Sequence, residues 1–398
     1  KLKPHVKLPL VATNRINMPE VAEDILARGQ ADMVSMARPL LADPQWVNKA
    51  RAGRRDEINT CIACNQACLD HVFVAKKASC LVNPRACAET ELNYLPAATP
   101  RRIAVVGAGP AGLACATVAA ERGHQVTLMD ASPRIGGQFN LAKTIPGKEE
   151  FHETLRYFDK RLQLTGVEQR LGQAVDSDQL LAGGFDEIVL ATGIRPRKVD
   201  FPGSDHPKVL SYLDVLARNV AVGRKVAIIG AGGIGFDVAE YLVHEGESLT
   251  LDTARWMAEW GVAPDFEGSG GLARPAPEAP AREVWLLQRS PGKPGARLGK
   301  TTGWIHRSAL KAKGVQALGG VEYLGVDDAG LRIRVDGREQ LLPVDHVVVC
   351  AGQEPLRALF DPLVAAGRNP HLIGGADVAA ELDAKRAIEQ GSRLAAGF

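Results

Sequence analysis

Short unbroken apolar runs alternate along the chain with longer stretches in which apolar residues recur every third or fourth position. That is the pattern of buried parallel strands joined by amphipathic helices. LPLVAT (8–13) reads as a buried strand, and the segment from Pro19 to Gly29 as a helix with Val21, Ile25 and Leu26 on one face. ADMVSMA (31–37) is a second strand, ended by Arg38-Pro39 and followed by another short helix. Farther on, RRIAVV and QVTLMD flank a glycine turn and a helix, and a helix over 148–164 carries Phe151, Leu155, Phe158 and Leu162 along one stripe. DEIVLATG (186–193) is the next strand. The pattern restarts at KVAIIG (225–230), is interrupted by a polar Gly/Pro-rich stretch (264–281), and resumes with the strand EVWLLQR (283–289). DHVVVCAG (345–352), HLIGGAD (371–377) and a last helix complete it. The strand, glycine turn and helix thus occur twice, an internal repeat of a nucleotide-binding unit.

The first two β/α units each place a cation just after a strand end, Arg15 and Arg38. In a TIM barrel that end carries the active site and its last strands hold a phosphate; a small αβ cap with surface arginines fits these residues equally well. A chain of 398 residues is long enough for two or three domains. The formal net charge of +2 gives no reason to expect nucleic acid or lipid as a partner. No secretory signal is visible in KLKPHVKLPLVA. Residues 103–120 carry no charge, but their Gly-Ala-Gly-Pro-Ala-Gly centre suits a strand–turn–helix better than a membrane span. A cytoplasmic location follows as the expectation, with thiols reduced and metal ligation favoured over disulfides. Opening on Lys1, the chain reads as a piece of something longer.

Four of the seven cysteines cluster within INTCIACNQACLDHVFVAKKASCLVNP (58–84). Cys61, Cys64 and Cys68 form a tight local loop, and Cys80 is a remote arm, the arrangement that holds a [4Fe-4S] cluster. Structural zinc is the alternative, but its two similar Cys-x-x-Cys knuckles are lacking. Cys87, Cys115 and Cys350 have no such companions and read as small core residues.

The first glycine fingerprint, VVGAGPAG, contains Gly107, Gly109 and Gly112, and Asp130 ends the following strand, where an acid binds ribose hydroxyls. The second, AIIGAGGIG, contains Gly230, Gly232 and Gly235. SLTLD, ending at Asp252, could serve as its second strand and would predict NAD. ARWMAEWG continues as a helix, however, and EVWLLQR is the better strand. Its end offers Arg289 and Lys293 and no acid, which favours the 2′-phosphate of NADPH; solvated surface charges are the alternative.

With these motifs the chain resembles the bacterial iron–sulfur flavoproteins of the 2,4-dienoyl-CoA reductase (NADPH) type. The resemblance runs through NRIN, VSMARP, INTCIACNQACLD, SCLVNPRAC, VVGAGPAGLA, IGGQFNLAKTIPGKEEF, PKVLSYLDVL, LGKTTGWIHR and CAGQEP. Trimethylamine dehydrogenase and enoate reductases share the wider layout. The resemblance implies an α/β fold: the end of a TIM barrel, then a two-dinucleotide-binding flavoprotein with an NADP domain inserted in an FAD domain. Expected boundaries are 1–57 for the FMN-barrel remnant, 58–95 for the cluster segment, 96–205 and 345–398 for the FAD domain, and 206–344 for the NADP domain. It implies electron flow from NADPH to FAD, the cluster and FMN, ending on a dienoyl thioester. Cys61, Cys64, Cys68 and Cys80 would hold the cluster, and Gly107, Gly109, Gly112, Asp130, Gln138, Thr192 and Asp377 would face FAD. Arg15 and Arg38 would hold the FMN phosphate, and the Lys300–Arg307 stretch would lie near the nicotinamide or a domain junction. Only two β/α units precede Cys61, so the acyl-CoA pocket and the acid/base residues belong upstream, and no catalytic residue is named here. Two rivals remain: an enoate- or amine-converting relative, and an electron-transfer subunit feeding a protein or artificial acceptor, as in glutamate synthases.

Overall fold

Ile103 to Val106 are four consecutive apolar residues, and all are buried, because their strand Arg102–Val106 is flanked on both sides within a parallel sheet. The sheet order is His371–Leu372, Glu187–Leu190, Arg102–Val106, Gln125–Asp130, Glu168–Leu171. Two apolar clusters cover it. One joins Val105, Leu113, Leu128, Phe158, Leu162 and Ile388; the other joins Ala104, Met129, Leu180, Leu190 and Leu363. The computed structural model describes residues 2–265, 268–380 and 383–398, divided between two units. This sheet belongs to the first unit, made of residues 1–140, 150–195 and 355–398.

The same unit begins with the two β/α pieces read from the sequence. Val11–Thr13 pairs in parallel with Met33–Ser35, and Ile16, Ala22, Trp46 and Ile58 form a small separate core beside them. Here one expectation is corrected. LPLVAT is not a buried strand: it is ordered as strand only from Val11, with Leu8 74% and Val11 49% exposed. Among the described residues the two strands form a sheet of their own, whose inward Ala12 and Val34 meet the small core while Val11, Thr13, Met33 and Ser35 are exposed. HLIGGAD is also shorter than expected, because Gly374 sits at φ 64° and turns the chain into a 3₁₀ turn after Leu372.

The second unit, residues 141–149 and 196–354, repeats the plan. Its parallel sheet runs Gln316–Leu318, Glu283–Leu287, Lys225–Ile229, His346–Val349, Val209–Ser211. Glu283–Leu287 lies directly against Lys225–Ile229, whereas Leu249–Leu251 is a single 3₁₀ turn and Asp252 caps the Thr253–Trp260 helix. EVWLLQR is therefore the second strand of the repeat. An antiparallel sheet of Glu322–Asp327, Gly330–Val335 and Arg338–Leu342 shares a core with Trp285 and Leu287. The short segment 141–149 belongs here because Ile145, only 1% exposed, packs with Tyr212 and Val238. The interrupting stretch 264–281 includes residues 266–267, which lie outside the described residues. No helix among the described residues is long and apolar enough to cross a membrane.

Candidate functional site

The Cys61–Cys80 segment folds with little regular structure, one short helix at Leu69–Val72, so side chains and amides must hold it. Ala63 and Asn65 adopt left-handed backbone (φ 52° and 60°), an uncommon state for residues with a Cβ. These turns bring Cys61, Cys64, Cys68 and Cys80 to one recess, lined otherwise by Arg38, Leu41, Ile62, Asn65, Ala67, Leu81 and Val82. Ile62, Leu81 and Val82 belong to the apolar cluster of the first sheet, so the recess is built on the first nucleotide-binding fold.

Backbone amides point at the sulfurs: Ala63 toward Cys61, Gln66 toward Cys64, and Val82 and Asn83 toward Cys80. Such donors favour thiolate, the form that binds iron or zinc. Burial opposes them. It raises the Cys61 thiol and pushes Cys64 and Cys80 up to about 12. A positive centre in the recess would offset that cost. Among the described residues no group of three or more His, Cys, Asp or Glu is arranged to hold a metal ion.

The supporting frame was not legible in advance. Asn17 Nδ2 donates to the Cys61 carbonyl and to Glu150 Oε1, both at 2.8 Å. Asn59 donates to the Val82 carbonyl at 2.8 Å, and its amide reaches Asp43, which Lys49 neutralises at 2.6 Å. Asn83 donates to the Leu41 carbonyl at 2.8 Å. The asparagines within or beside the cysteine segment, Asn59 and Asn83, were the available signal; Asn17, 44 residues from Cys61, offered none. Arg38 Nη1 donates to Asn65 Oδ1 at 2.7 Å and Nη2 to Asn14 Oδ1 at 3.0 Å. Arg15, at φ 58°, is exposed and pairs with Glu150 at 3.3 Å. Cys115 and Cys350 are buried as expected, but Cys87 is exposed at φ 60° and is not a core residue.

The first glycine turn gathers most of its expected companions. A Cβ on Gly107 would stand 2.2 Å from the Ala191 carbonyl oxygen, next to Thr192, and one on Gly112 would stand 1.8 Å from the Gly107 oxygen. Gly109 caps the Pro110–Glu121 helix and faces Gly137, the neighbour of Gln138. Asp130 accepts from the Ala108 amide at 2.6 Å and the Ser132 amide at 2.7 Å. Thr192 Oγ1 donates to the Leu356 carbonyl at 2.6 Å. Gly374 packs on Ala111, and Asp377 accepts from Gln390 at 2.7 Å. Helix amides left free at that end, with the dipole behind them, suit a pyrophosphate.

The second turn repeats this closely. A Cβ on Gly235 would stand 1.8 Å from the Gly230 oxygen, whereas Gly232, which caps the Gly233–Val243 helix, has nothing within 4 Å. Arg289 and Lys293 are exposed beyond Glu283–Leu287, without a carboxylate partner among the described residues. The helix Gly233–Val243 also carries Asp237 and Glu240, which pair with Lys148 and His306 at 2.6 Å. His306 lies in the Gly303–Ala312 helix of the Lys300–Arg307 stretch. The Glu240 hydrogen bond raises its imidazole above the ordinary range, against burial.

Residues 101–371, spanning both glycine turns, match the pyridine nucleotide-disulphide oxidoreductase family. The chain belongs to that family. Its first 57 residues match a second family, NADH:flavin oxidoreductase / NADH oxidase, so a TIM-barrel fragment precedes the two-dinucleotide-binding flavoprotein fold. The chain is 35% identical over 379 residues to a metal reductase of Desulforamulus reducens, covering 94% of this chain and 56% of that protein. It is 34% identical over 250 residues to a cinnamate reductase of Clostridium sporogenes, covering 63% of this chain and 37% of that one. A solved 2-naphthoyl-CoA reductase in complex with 2-naphthoyl-CoA superposes with a TM-score of 0.86 at 29% identity, covering 100% of this chain and 55% of that chain. The chain spans about half the length of such relatives, or less. Flavin and NAD(P) binding go with the two families.

Proposed function

We propose that this chain is the electron-input part of an NADPH-dependent reductase acting on conjugated acyl-CoA thioesters, 2,4-dienoyl-CoA in particular. The carrying observation is that all four cysteines line one recess in the unit that holds the first glycine turn. When bound, FAD and FMN supply hydride chemistry, and a [4Fe-4S] cluster supplies transfer of single electrons between them. The chain's own residues do the holding. Gly107, Gly109 and Gly112 cradle the FAD pyrophosphate, with Asp130, Gln138, Thr192 and Asp377 around the rest of that cofactor. Gly230, Gly232 and Gly235 take the NADPH pyrophosphate, and Arg289 and Lys293 its 2′-phosphate. Cys61, Cys64, Cys68 and Cys80 ligate the irons. Arg15 and Arg38, after the two barrel strands, contribute to the FMN phosphate site. The similarity to a 2-naphthoyl-CoA reductase and a cinnamate reductase supports a substrate whose double bond is conjugated to a carbonyl.

The similarity to a metal reductase over 94% of the chain favours a second reading, in which electrons leave directly to an external acceptor. One experiment separates the two. Protein purified without oxygen is assayed for FAD, FMN and iron, then for NADPH oxidation with dienoyl-CoA, ferric citrate or a dye. FAD with about four irons, and dienoyl-CoA turnover once the full barrel is present, supports the first reading. Turnover of ferric citrate alone, at the same rate with and without the barrel, supports the second. A chain with neither iron nor FAD would sink both.

A further inference from the structure

The geometry points to Arg38 and Glu150 as an opposed pair of charges that sets the reduction potential of the four-thiol site. This rests on the proposed cluster reading of that site. Arg38 forms part of the recess wall together with all four cysteines. Its guanidinium is fixed at both ends: Nη1 donates to Asn65, inside the Cys64–Cys68 loop, and Nη2 to Asn14, after the first barrel strand. The charge therefore cannot swing away from the recess without breaking two hydrogen bonds.

Glu150 is tied to the site through one shared amide. Asn17 Nδ2 donates to Glu150 Oε1 and to the carbonyl of Cys61 itself, each at 2.8 Å. Arg38 lines the recess itself, and Glu150 stands one amide away from the Cys61 backbone, so two fixed charges of opposite sign flank the same thiol. Arg15, 3.3 Å from Glu150, screens part of the negative charge.

A site that gains one electron becomes more negative, so a nearby cation stabilises its reduced form and an anion destabilises it. Arg38 raises the potential and Glu150 lowers it. The pair would keep the site able both to accept from one flavin and to pass on to the next. The assignment gives Arg38 a duty toward the thiols separate from any phosphate it binds.

The test is an EPR-monitored redox titration of the anaerobically purified chain, with iron content measured in parallel. Compared with the wild type, R38Q is expected to have a more negative midpoint and E150Q a more positive one. R38K, which keeps the charge but not the fork, should fall between wild type and R38Q. Should R38Q fail to retain iron, E150Q alone decides, because its amide keeps the Asn17 hydrogen bond. Iron-loaded variants whose midpoints all coincide with the wild type would overturn the inference and leave the cluster reading intact. An iron-free wild-type chain would overturn both.

Discussion

The two glycines of the second turn separate folding from nucleotide binding, and alanine at each measures one without the other. A Cβ on Gly235 would meet the Gly230 oxygen at 1.8 Å, far inside the ~3.5 Å of a relaxed carbon contact. The obstacle is backbone, so the helix must shift away from its strand, toward the upper end of the ~1–3 kcal/mol that overpacking costs. Replacing a mid-helix glycine returns about 1 kcal/mol. A net loss of about 2 kcal/mol lowers the melting temperature of a unit this long by roughly 4–8 °C. Gly232 has φ −85° and open space around its Cβ position, so G232A should change ligand-free stability by less than about 0.5 kcal/mol. Its methyl group would instead stand where a pyrophosphate must approach the backbone. At a concentration of one hundred times the wild-type Kd, NADPH stabilises the wild type by about 2.7 kcal/mol. Tenfold weaker binding reduces that gain to about 1.4 kcal/mol. Thermal unfolding by tryptophan fluorescence reads both, because Trp256, Trp260, Trp285 and Trp304 all lie in the second unit and only Trp46 lies elsewhere. A G232A chain that melts early without nucleotide, or that gains as much from NADPH as the wild type, would refute the reasoning.

Three further outcomes can be checked directly. Serine at Cys61, Cys64, Cys68 or Cys80 should strip most of the iron from anaerobically purified protein, whereas C87S, at an exposed position outside the recess, should retain it by colorimetric assay. The R289A/K293A pair should weaken NADPH binding tenfold or more, about 1.4 kcal/mol, with NADH binding nearly unchanged by fluorescence titration. His306 has its pKa raised in the folded state by the Glu240 bond, so its contribution to stability is fully present below the unfolded value and is lost as pH rises through the folded value. Melting of the second unit should therefore fall across that window in the wild type, and the fall should flatten in H306Q.

Most of the double nucleotide-binding plan was legible because it is written locally. A strand of four buried apolar residues, a glycine that must avoid a backbone oxygen, and an apolar helix follow one another within a few turns of chain. The choice of EVWLLQR over SLTLD was legible for the same reason, since Asp252 has the sequence of a helix cap as much as of a ribose ligand. The cysteine spacing named the thiols, but not what aims them. Asn17, Asn65 and Glu150 act across 44, 27 and 133 residues of sequence, through partners that only the fold brings near. Exposure of the Val11–Thr13 strand could be read only from the count of units: its own composition is that of an interior strand, but two β/α units before Cys61 leave its edge open and its apolar surface uncovered. Nor does anything in residues 141–149 announce that Ile145 packs in the second unit.

Insertion of the second unit within the first dictates an order of synthesis. A ribosome finishes residues 196–354 before it makes Pro355–Phe398, which returns to the first unit. Until then the Glu187–Leu190 strand lacks its His371–Leu372 neighbour, and the Pro110–Glu121 helix lacks Ala384–Ala396, whose Gly391 lies flush against Ala111. The nascent chain must carry an uncovered apolar helix and an unpaired strand edge through the whole manufacture of its nicotinamide domain. The inner unit can mature while the outer one waits. A codon-level pause before Pro355 would lengthen that exposed interval, so expression of this protein should depend on elongation speed there and on chaperone supply more than on the stability of either finished unit.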